Sequence, residues 1–293
     1  MRYDSPLVPS IRGTLADAAL GPVHLTVTDL EQSLAFYAGI LGLPVAGQAA
    51  GRARLGEADG PEVLVLVEEP EARRAGRHSG LYHVALLYPS RLELARVALR
   101  LSAAGVPIEG ASDHGTHEAI YLPDPDGNGV ELAADTPPAT WPSYEQEFAQ
   151  SGPRPLDAAA LLGLVEGERP TPVPRAGMTV GHVHLHVGDI AAARRFYVDG
   201  IGFDLMGSLP SAGFVAAGGY HHHLAFNSWR GQGAPPAPAG TVGLRHWTLL
   251  LAPSDVVAAR ERLTALGSET TDAEGGFSAL DPSGNRVLVL AAA

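Results

Sequence analysis

The chain has 293 residues, 45% of them hydrophobic and 18% charged, with a formal net charge of −12. That length suffices for two domains with cores of their own, and the acidic balance argues against nucleic acid or an anionic membrane surface as a partner. The absence of cysteine excludes disulfides, thiolate metal ligands and a cysteine nucleophile. Any metal must sit among nitrogen and oxygen ligands, for which 12 His and 32 Asp plus Glu are available. Charges and prolines interrupt Met1 to Leu20, where a signal peptide needs an unbroken apolar run. No stretch is long enough to span a bilayer, so the expected setting is the cytoplasm.

In chain order, the first element is Gly21-Pro22-Val23-His24-Leu25-Thr26-Val27, which returns 160 positions later as Gly181-His182-Val183-His184-Leu185-His186-Val187. After each copy comes Asp-Leu or Asp-Ile, a short helical segment, then Phe36-Tyr37 or Phe196-Tyr197, and Leu41-Gly42 or Ile201-Gly202. A second pair of strands opens alike, with His83-Val84-Ala85-Leu86 and His246-Trp247-Thr248-Leu249. Each leads into an amphipathic helix, Leu92 to Ala104 and Ser254 to Leu266, closed by Gly105 or Gly267 as helix C-termini prefer. The matching turns Asp124-Pro125-Asp126-Gly127-Asn128 and Asp281-Pro282-Ser283-Gly284-Asn285 follow.

Four units result, at about 20–75, 79–135, 180–230 and 243–292, each a strand, a helix, then two or three strands. This is an α+β pattern of four βαβββ modules. One such module cannot bury both faces of its sheet, so modules must pair into two half-open barrels with helices outside. The expected division is a tail at 1–19, a first domain at 20–135, a proline-rich linker at 136–177 and a second domain at 178–293. The linker holds one short apolar segment, Leu156 to Val165, and Gly231 to Gly240 reads as a surface loop.

The stretch 182–187 has two unlike faces, because alternate residues of a strand point to opposite sides. Val183, Leu185 and Val187 form an ordinary core face. His182, His184 and His186 form the other, which is either a solvated polar side or a set of metal-binding imidazoles.

With its paired βαβββ units, H-V-x-L strand starts, F-Y…L-G helices and D-P-D-G-N-G-V-E ending, the chain resembles the vicinal oxygen chelate superfamily. That group includes glyoxalase I, the fosfomycin- and bleomycin-resistance proteins and the type I extradiol dioxygenases. The likeness is nearest to the two-domain catechol 2,3-dioxygenase branch. In this superfamily the metal lies inside a barrel, held by the first residue of the H-V-x-L strand in two units and by a carboxylate on a late strand. Those first positions here are Pro22, His83, His182 and His246, and the late positions are Glu131 and Leu288. Neither sequence half is complete. Pairing the second unit with the third assembles His83, Glu131 and His182, the two-His-one-carboxylate set that leaves open positions on Fe(II). A first-half site would need His24 in place of Pro22, about 7 Å along the strand.

The resemblance also implies catalytic residues. Tyr220-His221-His222-His223-Leu224-Ala225-Phe226 is similar to the strand that extradiol enzymes place beside O2, with His222 as acid–base and His221 or His223 one residue off. The H-G…I-Y pattern ahead of the ligand glutamate maps Tyr121 and His114 onto partners of the substrate, with His117 the fallback for His114. His184 and His223 are expected substrate contacts. These types suit a catechol, which must lose a proton that a histidine can accept, while O–O cleavage needs a proton donor. The implied partners are a catechol-type molecule and O2, with Fe(II) as cofactor. The sequence leaves Mn(II), the ring substituents and assembly into a homo-oligomer open. A glyoxalase-type isomerase with zinc or nickel and a non-catalytic binding or resistance protein are the competing readings.

Overall fold

The computed structural model describes residues 12–142, 152–171 and 177–292. Residues 1–11 of the expected tail and two pieces of the expected linker lie outside the described residues.

The first unit holds β1 (Ala19–Val27), β2 (Val45–Ala49), β3 (Arg52–Gly56) and β4 (Glu62–Glu68). The second holds β5 (Gly80–Leu87), β6 (Gly110–Asp113), β7 (His117–Pro123) and β8 (Gly129–Asp135), and a two-residue strand β9 (Arg154–Pro155) follows from the linker. The third holds β10 (Thr179–His186), β11 (Asp204–Leu209), β12 (Ala212–Ala216) and β13 (Leu224–Asn227). The fourth holds β14 (Gly243–Leu251), β15 (Thr270–Ala273), β16 (Gly276–Leu280) and β17 (Arg286–Ala291).

In every unit the first strand lies parallel to the last: β1 with β4, β5 with β8, β10 with β13 and β14 with β17. A parallel pair needs a crossover, and the helix after each first strand supplies it. The helix Leu30–Leu34 is capped by the Asp29 side chain on Gln32 N, and its repeat Ile190–Arg194 by Asp189 on Ala192 N. Both continue as π-helical segments, Ala35–Ile40 and Arg195–Ile201. The helix Arg91–Ala104 starts at a Ser90 cap and stops at Gly105, which adopts φ +63°.

The modules pair across the sequence halves. One sheet runs β15-β16-β17-β14-β1-β4-β3-β2, joining units one and four through antiparallel β1 and β14. The other runs β11-β12-β13-β10-β5-β8-β7-β6-β9, joining units two and three through antiparallel β10 and β5. Neither sheet closes on itself, as half-open barrels require. Val183 and Leu185 are fully buried, and the apolar faces of both sheets contribute to one hydrophobic cluster.

The linker is more structured than a plain connector. Its strand β9 pairs with the β6 edge, covering backbone groups that would otherwise face solvent. Its apolar segment forms the helix Ala158–Gly163, burying Leu161 and, just beyond, Val165. Residues 231–240 form no helix or strand, as expected of a loop.

While the sheets tie units two to three and one to four, the repeated Phe-Tyr and Asp-Pro motifs tie one to two and three to four. Tyr37 Oη donates to Asp124 Oδ2 at 2.9 Å, and Tyr197 Oη donates to Asp281 Oδ2 at 2.9 Å. All four residues are buried. Burial raises both carboxyls above their ordinary values, opposed chiefly by the Asn128 or Asn285 bonds. Removing one phenolic donor from such a carboxylate should cost about 1.5–3 kcal/mol. Tyr37→Phe and Tyr197→Phe are therefore each expected to lower the denaturant midpoint of unfolding, read by chemical denaturation.

Candidate metal centre and active site

The histidine face of β10 is not solvated. His182, His184 and His186 are 2%, 5% and 5% exposed, so the polar-side alternative fails. These rings share one buried face of β10, in the sheet that joins units two and three. Across the antiparallel pair, His184 sits opposite His83 and His182 opposite Ala85, with a register shift on either side of the segment. On the far side of β5, Glu131 of β8 pairs with Ala85. Gly129 permits that approach, since a Cβ there would lie 1.9 Å from the Tyr82 carbonyl oxygen.

Three ligand-type atoms converge. Glu131 Oε2 lies 3.0 Å from His83 Nε2 and 3.0 Å from His182 Nε2, and the two nitrogens are 3.3 Å apart. Ligand atoms about 2.1 Å from an ion stand about 3.0 Å apart at right angles and about 3.4 Å at the tetrahedral angle. The observed triangle is that of a facial set. Burial raises the Glu131 carboxyl, but His182, His117 and His83 outweigh it and hold the group well below the usual carboxylate range. Burial pushes His182 down to about 4 against the pull of Glu131. At neutral pH both are in the form that binds metal. The second oxygen of Glu131, Oε1, is buried and has His117 Nε2 beside it at 3.1 Å, which leaves Oε2 with the two imidazoles. The residues fit a divalent ion.

The other expected residues surround this triangle. The His222 ring lies 4.2 Å from that of His182, and 5.6 Å from Phe214. Burial, then the neighbouring His182, His221 and His117, push His222 well below its ordinary value. Tyr121 pairs with Glu131 across β7 and β8, and its ring lies 5.6 Å from His83. Its hydroxyl is 2.8 Å from His114 Nε2, so these two act as one unit.

His184 lies edge-on to His83, with ring centroids 4.9 Å apart. Asn227 fixes it: the amide Nδ2 donates to His184 Nε2, and Asn227 Oδ1 accepts from His186 Nδ1, each at 2.8 Å. His223 points elsewhere. Its Nδ1 accepts from Ala217 N at 3.3 Å, and its ring lies beside Tyr220 and Phe203 and approaches Ala18.

Among the described residues, the sheet of units one and four assembles no such ligand set. In the sheet of units one and four, His24 and His246 pair in register and stack at 3.9 Å. Pro22 and Leu288 stand where the other sheet has His182 and Glu131. His24 and His83 belong to different sheets, so a first-half site is not assembled.

Two residues around the triad were not singled out from sequence. Asp135 Oδ1 lies 3.1 Å from His221 Nε2 and its Oδ2 accepts from Tyr220 Oη at 3.0 Å. Asn227 joins His184 to His186. Two-residue periodicity could have found Asp135, which shares a face of β8 with Glu131. Nothing local marks Asn227.

A family model described as the Glyoxalase/Bleomycin resistance protein/Dioxygenase superfamily matches residues 19–132 and 179–289, and the chain belongs to that superfamily. Within it, the chain is 40% identical over 274 residues to catechol-2,3-dioxygenase of Bacillus subtilis (strain 168), covering 91% of this chain and 94% of that one. It is 26% identical over 222 residues to metapyrocatechase of Geobacillus stearothermophilus, covering 71% and 60%. A solved Bacillus subtilis chain superposes with a TM-score of 0.67 at 13% identity, covering 95% of this chain and 86% of the other. The family implies a divalent metal. Among the described residues, no helix is long and apolar enough to cross a membrane.

Proposed function

We propose that this protein is an Fe(II)-dependent extradiol dioxygenase that cleaves catechol-type rings in the cytoplasm, with residues 20–135 and 178–293 as its two sequence units. The observation that carries the reading is the facial triangle of His83 Nε2, His182 Nε2 and Glu131 Oε2 at 3.0–3.3 Å. The 40% identity to a catechol-2,3-dioxygenase supports it. When bound, iron offers adjacent positions for both catechol oxygens and for O2, and lets electron density pass from ring to O2.

The chain's own groups handle the protons. His222, held neutral, accepts a proton from the diol and later returns it where the O–O bond breaks. Tyr121, with His114 behind its hydroxyl, hydrogen-bonds the substrate on the opposite flank and steadies the ring as it bends. His184, oriented by Asn227, forms a side wall that contacts the substrate. His223 faces away from the triad and supports the His222 loop from behind.

Elemental analysis of protein purified anaerobically tests the metal. Stoichiometric iron is the expected result. Zinc or nickel would favour an isomerase of the glyoxalase type, and no metal would favour a binding protein.

A further inference from the structure

Beside the triad lies a second cluster, His117, Asp135 and His221, whose ligand-type atoms all fall within 4.8 Å of one another. Its rings do not converge on a point. His117 and His221 stack at 4.8 Å and 16°, and His114 stacks on the other face of His117 at 4.4 Å and 7°. The lone pair of an imidazole nitrogen lies in the ring plane, so parallel rings aim their nitrogens side by side rather than at a shared ion.

Each nitrogen of His117 has a polar neighbour instead. Its Nδ1 is 2.9 Å from Thr116 Oγ1, and its Nε2 is 3.1 Å from Glu131 Oε1, the oxygen turned away from His83 and His182. His117 and Thr116 are 2% and 5% exposed. If the Thr116 hydroxyl donates to Nδ1, the proton of the neutral ring must sit on Nε2, facing Glu131. The two flanking rings hold the imidazole plane, and His221 is anchored in turn on Asp135 at 3.1 Å.

We infer that His117 is a positioning residue for the metal ligand Glu131, with Thr116 setting its tautomer. By occupying Oε1, His117 leaves Oε2 as the single carboxylate oxygen presented beside the two imidazoles, which keeps positions free for a substrate binding through two oxygens. The inference rests on the triad reading above.

The test uses the full chain, freed of metal and titrated with Co(II) against a chelator. His117→Leu should weaken Co(II) binding by roughly 10–100-fold, the usual cost of a lost partner to a metal ligand, and change the visible Co(II) absorption. His117→Gln, whose amide nitrogen can donate from nearly the same place, should restore most of the affinity and the wild-type spectrum. Thr116→Val keeps the ring but frees its tautomer, and should weaken binding in the same direction. It also decides the matter if His117→Leu fails to fold. Wild-type affinity and spectrum in His117→Leu, or in Thr116→Val where His117→Leu does not fold, would overturn the inference while leaving the triad intact. Failure of the unaltered protein to bind Co(II) would instead overturn the triad reading.

Discussion

Glu131→Ala and His182→Ala should each empty the metal centre, although one lies in the second unit and the other in the third. Each removes one of three protein ligand atoms that stand 3.0–3.3 Å apart, so the loss should exceed the roughly 10–100-fold that a supporting contact brings. On the strand that carries His182, His184 cannot take over without moving backbone. His184 is two residues along β10, about 7 Å away, and its Nε2 is already bonded to Asn227. His246→Ala and His24→Ala should leave metal content unchanged, because that stacked pair lies in the other sheet. Metal content by elemental analysis, with affinity by chelator competition, reads all four. An empty centre in His24→Ala beside a full one in His182→Ala would sink the cross-half arrangement.

The second large effect is expected at His222. His222→Phe should keep the metal yet slow ring cleavage by roughly 10²–10⁴-fold, the contribution of a positioned acid–base group. The ring is buried, so a phenyl of similar breadth fills the place, but it carries no proton. Burial and the adjacent imidazoles hold His222 neutral, which makes it an acceptor first and a donor only after the diol has given up its proton. Single-turnover rates at fixed iron occupancy separate the step from binding. Iron lost on this substitution would make His222 a ligand and call for a different assignment within Tyr220-His221-His222-His223.

Much of this architecture is written in the repeats. A 160-residue offset in the Asp caps and Phe-Tyr pairs, with Asp-Pro turns recurring in the second and fourth units, specifies four modules because each motif does a local job that its copy must repeat. The cross-half pairing was favoured through what is missing: Pro22 and Leu288 cannot bind metal, but His24 kept a first-half site open until the sheet order placed β10 beside β5. The linker was less legible. Its strand β9 exists because β6 offers an unpaired edge, and nothing in Arg154-Pro155 itself says strand.

His117 appeared only as a substitute for His114, although period two places it on the face of β7 that carries Tyr121. The role of Asn227 depends on β10 and β13 lying side by side, which no local pattern announces. The triple histidine divided its labour by alternation: His222 turned to the triad, His223 to the N-terminal segment.

The most direct test of the whole account is O2 uptake by protein purified without air and loaded with Fe(II), given catechol and alkylcatechols while absorbance is followed. The account predicts one O2 consumed per catechol, with the yellow colour of a muconic semialdehyde or its ketone analogue rising in step, and neither signal in Glu131→Ala. Iron-replete protein that consumes no O2 with any of these catechols would contradict it.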